Sequence, residues 1–142
     1  MGPYTDQEME RWIRLVTTEF YEQVYRDEWL KDVFKVVDQK FITEQQVDFM
    51  LQAMSGIKRY RGRNPSDAHP HIFVNEEMWR LREKYLVRAF EKLDCPEDIR
   101  QRWLKIDEAF KAKIVMTDPA QCRRRFTHDE LVIVPDPRKR AA

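Results

Sequence analysis

This 142-residue chain contains three histidines, His69, His71 and His128, and two of them share the tripeptide His69-Pro70-His71. Imidazole is a ligand for zinc, copper and iron, so this tripeptide is where metal chemistry stands out. A zinc site takes about four ligands, and no Cys pair or second His pair completes such a set. An axial histidine on haem iron needs no further protein ligand and escapes that objection. Two solvated imidazoles on a surface loop are the plain alternative. The signatures GxSxG, GxxxxGK[ST] and HExxH are missing, as is a Cys–His pair set in a motif. Two other polar residues sit where a pocket would use them. Gln46 interrupts the apolar face Ile42, Phe49, Met50, and Tyr21 follows Phe20 on an early amphipathic segment. Taken alone, each also reads as ordinary: a glutamine with its amide in water, a tyrosine in a core.

Helices must position these groups. Thr5-Asp6-Gln7-Glu8 has the form of a capping box, and Met9, Trp12, Ile13, Val16 and Phe20 follow at helical spacing. The helix either continues through Thr17-Thr18 or bends there. Trp29, Leu30, Val33 and Phe34 predict a short helical turn. Asp38 caps a long helix to about Ser55, with apolar positions Phe41, Ile42, Val47, Phe49, Met50, Ala53 and Met54 and with Gly56 as its stop. Residues 57–74 are the least regular, with Gly62, Pro65, Pro70 and the basic residues Lys58, Arg59, Arg61 and Arg63. Asn75 caps a helix to about Leu93. Pro96 opens another from its first turn, carrying Ile99, Trp103, Ile106, Phe110 and Ile114.

Composition agrees with a helical domain. Apolar residues form 42% of the chain and aromatics 12%, too many for a disordered chain despite 36% charge. A chain this long is one domain, able to bury roughly 70% of its unfolded surface. Three glycines are few for a fold rich in tight turns. Lys plus Arg (26) nearly balance Asp plus Glu (25), so nucleic acid is not the default partner. Cys95 and Cys122 suggest no disulfide framework. No stretch is apolar enough to span a membrane, and the acidic N-terminal segment lacks a secretion signal's apolar core. The expectation is an all-α, cytoplasmic protein with no membrane partner.

Several of these residues together resemble the truncated haemoglobins, closest in spacing to their group I. The match runs over about residues 12–116: Phe20-Tyr21 in EFYEQVYRD, Phe34 thirteen residues after the tyrosine, and EQQVDFM with Gln46 twelve residues further on. RYRGR and DAH follow, with His69 twenty-three residues beyond the glutamine, then the helix at Asn75 and CPEDIRQRW. The resemblance implies a 2-on-2 helical sandwich around haem b, with a globin domain over 1–117 and a tail of uncertain order over 118–142. It implies His69 as the proximal iron ligand, Tyr21 as the distal hydroxyl facing the bound gas, and Gln46 as its partner in that network. Phe34 packs on the porphyrin and Phe49 is a pocket aromatic. Ile42 stands where other globins carry a distal histidine or leucine. Val74, Trp79 and Leu86 close the proximal and far walls. Arg82 departs from the pattern, falling where an apolar residue or a tryptophan faces the haem, and is either turned away or reaches a propionate. The paired glycines of the family are reduced to Ser55-Gly56.

Three functions follow as expectations. The first is a haem protein that binds oxygen, nitric oxide or carbon monoxide, as a monomer or dimer. The second is nitric oxide dioxygenase or peroxidase-like turnover on the same scaffold, which needs a reductase. The third is a haem-free helical interaction or sensor module. The tail carries Arg123-Arg124-Arg125, the apolar run Leu131 to Val134, and Arg138-Lys139-Arg140. Four adjacent branched side chains are costly to leave in water, which argues for docking on the helices of the same domain or in a partner subunit. The arginines at 123 to 125 read as a solvated basic face, with haem propionates or an acidic partner as the alternatives. All pocket positions implied by the resemblance precede residue 117.

Overall fold

The computed structural model describes residues 3–139; Arg140, the last of the tail's basic residues, lies outside them. Among the described residues there are six α-helices: α1 (Asp6–Val24), α2 (Leu30–Val33), α3 (Gln39–Ser55), α4 (Pro65–Ala68), α5 (Glu76–Lys92) and α6 (Glu97–Ile114). No helix among them is long and apolar enough to cross a membrane.

The capping residues act as their chemistry requires. Thr5 accepts from the Glu8 amide while the Glu8 carboxylate accepts from the Thr5 amide, so two amides that α1 cannot satisfy internally are paired. Asp38 accepts from Phe41 N–H, and Asn75 from Met78 N–H. Helix α1 runs straight through Thr17-Thr18 without a break. Pro96 stands at the N-cap of α6, one position before the first turn expected for it. Asp27 links three elements: its carboxylate accepts from the amides of Trp29 and Leu30 at the start of α2 and from the Tyr85 hydroxyl on α5.

Helix α1 packs against α3 and α5, and α6 against α3 and α4, giving an all-α domain of packed helices. Its core joins Ile13, Val16 and Val24 of α1, Val47, Met50 and Leu51 of α3, Leu86, Ala89 and Phe90 of α5, and Ile99 and Trp103 of α6, all nearly or fully buried. On α3 the buried set differs from the apolar set expected there. Leu51 is inside, while Phe41 and Ala53 are exposed. Phe41 sits in the first turn, before α3 comes under α1, and faces a cavity mouth instead of the core.

The tail docks. Val132 and Val134 pack on the core while Leu131 and Ile133, alternating with them, stay exposed, as in a half-buried extended strand. Val132 pairs in parallel with Ile72, and Val115 with Val74.

At the end of α3, Gly56 has φ 74° and no heavy atom within 4 Å of where a Cβ would stand. Only backbone strain opposes a side chain there. Gly56→Ala should therefore lower unfolding stability by about 1–2 kcal/mol, seen as a lower denaturant midpoint at constant m; an unchanged midpoint would show that the turn relaxes away from the left-handed region.

Candidate functional site

A cavity of about 500 Å³ opens between α1, α3, α5, α6 and the 60–74 segment, within the range of small-molecule and cofactor sites. Tyr21, Phe34, Ile42, Gln46, Phe49, His69, Val74 and Trp79 all line it. Leu86 does not. It is 1% exposed, within the core under α5.

Each functional side chain has its own support. Tyr21 is held by edge-to-face contacts with Phe20 (4.9 Å between centroids) and Phe34 (5.9 Å). Burial raises its hydroxyl pKa well above the ordinary range, with the Arg82 cation opposing, so the group stays an O–H donor. Phe49 is wedged between Tyr60 (5.2 Å) and Phe110 (5.8 Å). Gln46 sits on the cavity side of α3, one turn after Ile42.

His69 is the C-cap of α4, a four-residue helix opened by Asn64 and Pro65. Its Nδ1 lies 2.8 Å from the Pro65 carbonyl oxygen. That contact makes Nδ1 the protonated nitrogen, since a carbonyl only accepts, and leaves Nε2 with a lone pair and no protein partner. Burial lowers the His69 pKa; the Pro65 bond opposes, and the Arg82 and Arg125 cations lower it further. The ring is therefore neutral near pH 7, the form that ligates metal. His71 is 8% exposed and also lines the cavity, but its Nδ1 is buried with no partner. No group of three or more His, Cys, Asp or Glu able to hold a metal ion occurs among the described residues, so one imidazole with an oriented ring is what this site offers a metal.

The cavity wall also holds charges. Arg82 makes a two-pronged ion pair with Asp107 of α6, at 2.9 and 3.3 Å. Its guanidinium stacks 4.7 Å from the Trp79 ring and 5.5 Å from Phe20. Arg82 is thus neither turned to solvent nor free: it forms part of the wall. Asp107 follows Ile106 of the expected apolar stripe on α6, and nothing in the spacing singles it out. Two tail residues, Arg125 and Val132, line the cavity as well. The pocket positions implied by the resemblance all precede residue 117, and these two lie beyond them. Arg123 and Arg124 are exposed as expected, but Arg125 is folded against Asp129 by a fork at 2.8 and 2.9 Å. Arg63 and Arg125 also line a neighbouring groove of about 460 Å³.

The family model described as "Bacterial-like globin" matches residues 8–116. A "Group 1 truncated hemoglobin" of Tetrahymena pyriformis is 40% identical over 50 residues, 35% of this chain and 41% of that protein. One of Tetrahymena thermophila is 34% identical over 89 residues, 63% of this chain and 74% of that protein.

Deleting one partner of a buried ion pair leaves the other charge unpaired, at a cost of about 3–5 kcal/mol when burial is complete. A quarter of the Arg82 side chain is exposed, so Asp107→Ala should cost roughly 1–3 kcal/mol, and Arg82→Met/Asp107→Leu together less than the single change. Equal losses for the single and double variants, by chemical denaturation, would show the pair contributes nothing specific.

Proposed function

This chain belongs to the bacterial-like globins, and on that premise we propose that it binds haem b through His69 and uses Tyr21 and Gln46 to hold a diatomic gas, oxygen first. The observation that carries the reading is the 2.8 Å contact between His69 Nδ1 and the Pro65 carbonyl. It fixes one ring nitrogen as donor and frees the other for a metal, the arrangement by which protein second-shell groups orient a ligating histidine. The cavity fits the group: aromatic and aliphatic walls for a flat macrocycle, a neutral imidazole on one side, and a hydroxyl and an amide among the lining. Arg63 and Arg125 stand where cavity and groove meet and suit the two carboxylates of haem b.

When bound, haem supplies an iron with an open position that takes a diatomic gas and passes electron density to it. The chain's own residues then decide how long the gas stays. Tyr21 Oη–H is held in its donor form by burial, and inside an apolar pocket a donor stabilises developing negative charge more than in water. One such bond is worth about 1.5–3 kcal/mol, roughly ten- to a hundred-fold in residence. Phe34 and Phe49 exclude water, and the Arg82–Asp107 pair holds α5 against α6 behind the pocket. Slow release suits chemistry or scavenging better than transport, so nitric oxide dioxygenation is the second reading. Nitrate formed from nitric oxide and oxygen, at turnover with a supplied reductant, separates it from simple binding.

His69→Gly should abolish the five-coordinate ferrous histidine spectrum, and added imidazole should restore it. Loss on His71→Gly with retention on His69→Gly would transfer the ligand to His71. Tyr21→Phe should speed oxygen release about tenfold, the equivalent of about 1.4 kcal/mol, and change carbon monoxide release less because that ligand carries less charge. Gln46→Leu added to Tyr21→Phe should give less than the product of the single effects, since both residues act on one ligand. Equal acceleration of both gases would indicate a steric gate instead.

A further inference from the structure

His69 sits at the start of an irregular stretch. Helix α4 ends at Ala68 and α5 begins at Glu76, so residues 70–74 have no helix to satisfy their backbone. One local turn, Ile72 N–H to the His69 carbonyl at 2.9 Å, is all they make among themselves. Met116 N–H, just past α6, donates to the Val74 carbonyl (2.7 Å), and the remaining partners come from the tail. Arg123 N–H donates to the Pro70 carbonyl (2.7 Å), Val132 N–H to the His71 carbonyl (2.8 Å), and Phe73 N–H to the Val132 carbonyl (2.8 Å). Two of these residues, Arg123 and Val132, lie beyond the family match, which stops at residue 116.

The far side of the same segment is anchored to the body of the domain. The Trp29 indole N–H donates to the Val134 carbonyl at 2.8 Å, and the Arg138 guanidinium lies 5.5 Å from that ring. Lys139 pairs with Glu77 of α5 at 2.6 Å. Between the two anchor regions, the loop is closed by Asp129, which accepts from Arg125 at its backbone N–H (2.9 Å) as well as its guanidinium.

We propose that residues 117–139 form a strap that positions the imidazole of His69, so that the strength of its bond to iron and the retention of haem are set partly from outside the region this chain shares with its family. The proposal rests on the ligand reading above. The strap acts on His69 through the backbone of residues 70–73, for which its residues are positioning residues; Arg125 and Val132 also line the cavity directly.

Val132→Pro removes the N–H that reaches His71 and no other hydrogen bond of the ladder, together with the valine side chain that lines the cavity. Ile133→Pro is the matched control, because Ile133 N–H bonds to no described residue and its side chain is exposed. In the full-length haem-loaded protein, Val132→Pro should shift or broaden the ferrous iron–histidine Raman band and speed haem transfer to an apoglobin acceptor about tenfold, one hydrogen bond's worth. Ile133→Pro should match the unaltered protein in both. A general loss of stability would leave the band in place, so the band separates positioning from mere support. In the haem-free protein, amide exchange at Ile72 to Val74 should rise about tenfold in Val132→Pro alone. An unshifted band with unchanged exchange overturns the strap. An unaltered protein without any iron–histidine band overturns the ligand reading, and the strap then stands or falls on the exchange result. Trp29→Phe, which removes the N–H to Val134 together with the pyrrole part of a buried indole, supplies a second variant at the other anchor: it should move band and exchange in the same direction, and its failure to do so, with Val132→Pro unable to fold, counts against the proposal.

Discussion

Backbone amides and carbonyls in the wall of an apolar cavity must be paired, and the 69–74 segment is where this chain meets that demand outside a helix. The solution here is a four-residue helix that orients one imidazole through the Pro65 carbonyl, followed by a strand-like stretch whose partners arrive from two other parts of the chain. Met116 N–H takes the Val74 carbonyl at 2.7 Å, and the tail takes Pro70, His71 and Phe73. The cavity's shape therefore depends on polar satisfaction as much as on apolar packing.

Charge inside the wall follows the same logic. Arg82 and Asp107 would each be costly alone in such a place. Together they satisfy one another, and the face of the guanidinium that is not hydrogen-bonded lies on aromatic rings. The pair bridges α5 and α6 at a position where an aliphatic residue would merely fill space. It also places a fixed cation near both Tyr21 and His69, lowering the basicity of each.

The helices were legible because caps and periodicity are local. Thr5, Asp38, Asn75 and Gly56 each act within one turn of where they stand, and all four hold the positions their types suggest. Tyr21, Gln46 and His69 were legible only through the spacing of the resemblance, since a tyrosine, a glutamine or a histidine on a half-buried face has many ordinary uses. Leu86 shows the limit of that transfer: its buried, apolar character holds, but it lies in the core, while Arg82, four positions earlier on α5, lines the cavity. Arg125 and Val132 were not legible as wall residues. Val132 reaches the wall by pairing with Ile72 across sixty residues of sequence, which no periodicity records. The alternation of the 131–134 run is visible once known, yet four adjacent apolar residues mask a period of two.

That alternation bears on how the molecule behaves at high concentration. Leu131 and Ile133 face outward, 41% and 44% exposed, on an extended segment paired along one side only. An exposed apolar strand with an open edge is a template on which another chain can add. Pro135 and Pro137 follow directly and offer no N–H, and the chain turns into a short 3₁₀ helix at Pro137–Lys139. The prolines act as gatekeepers, limiting the adhesive edge to a few residues so that the segment can bind its own domain without recruiting a neighbour.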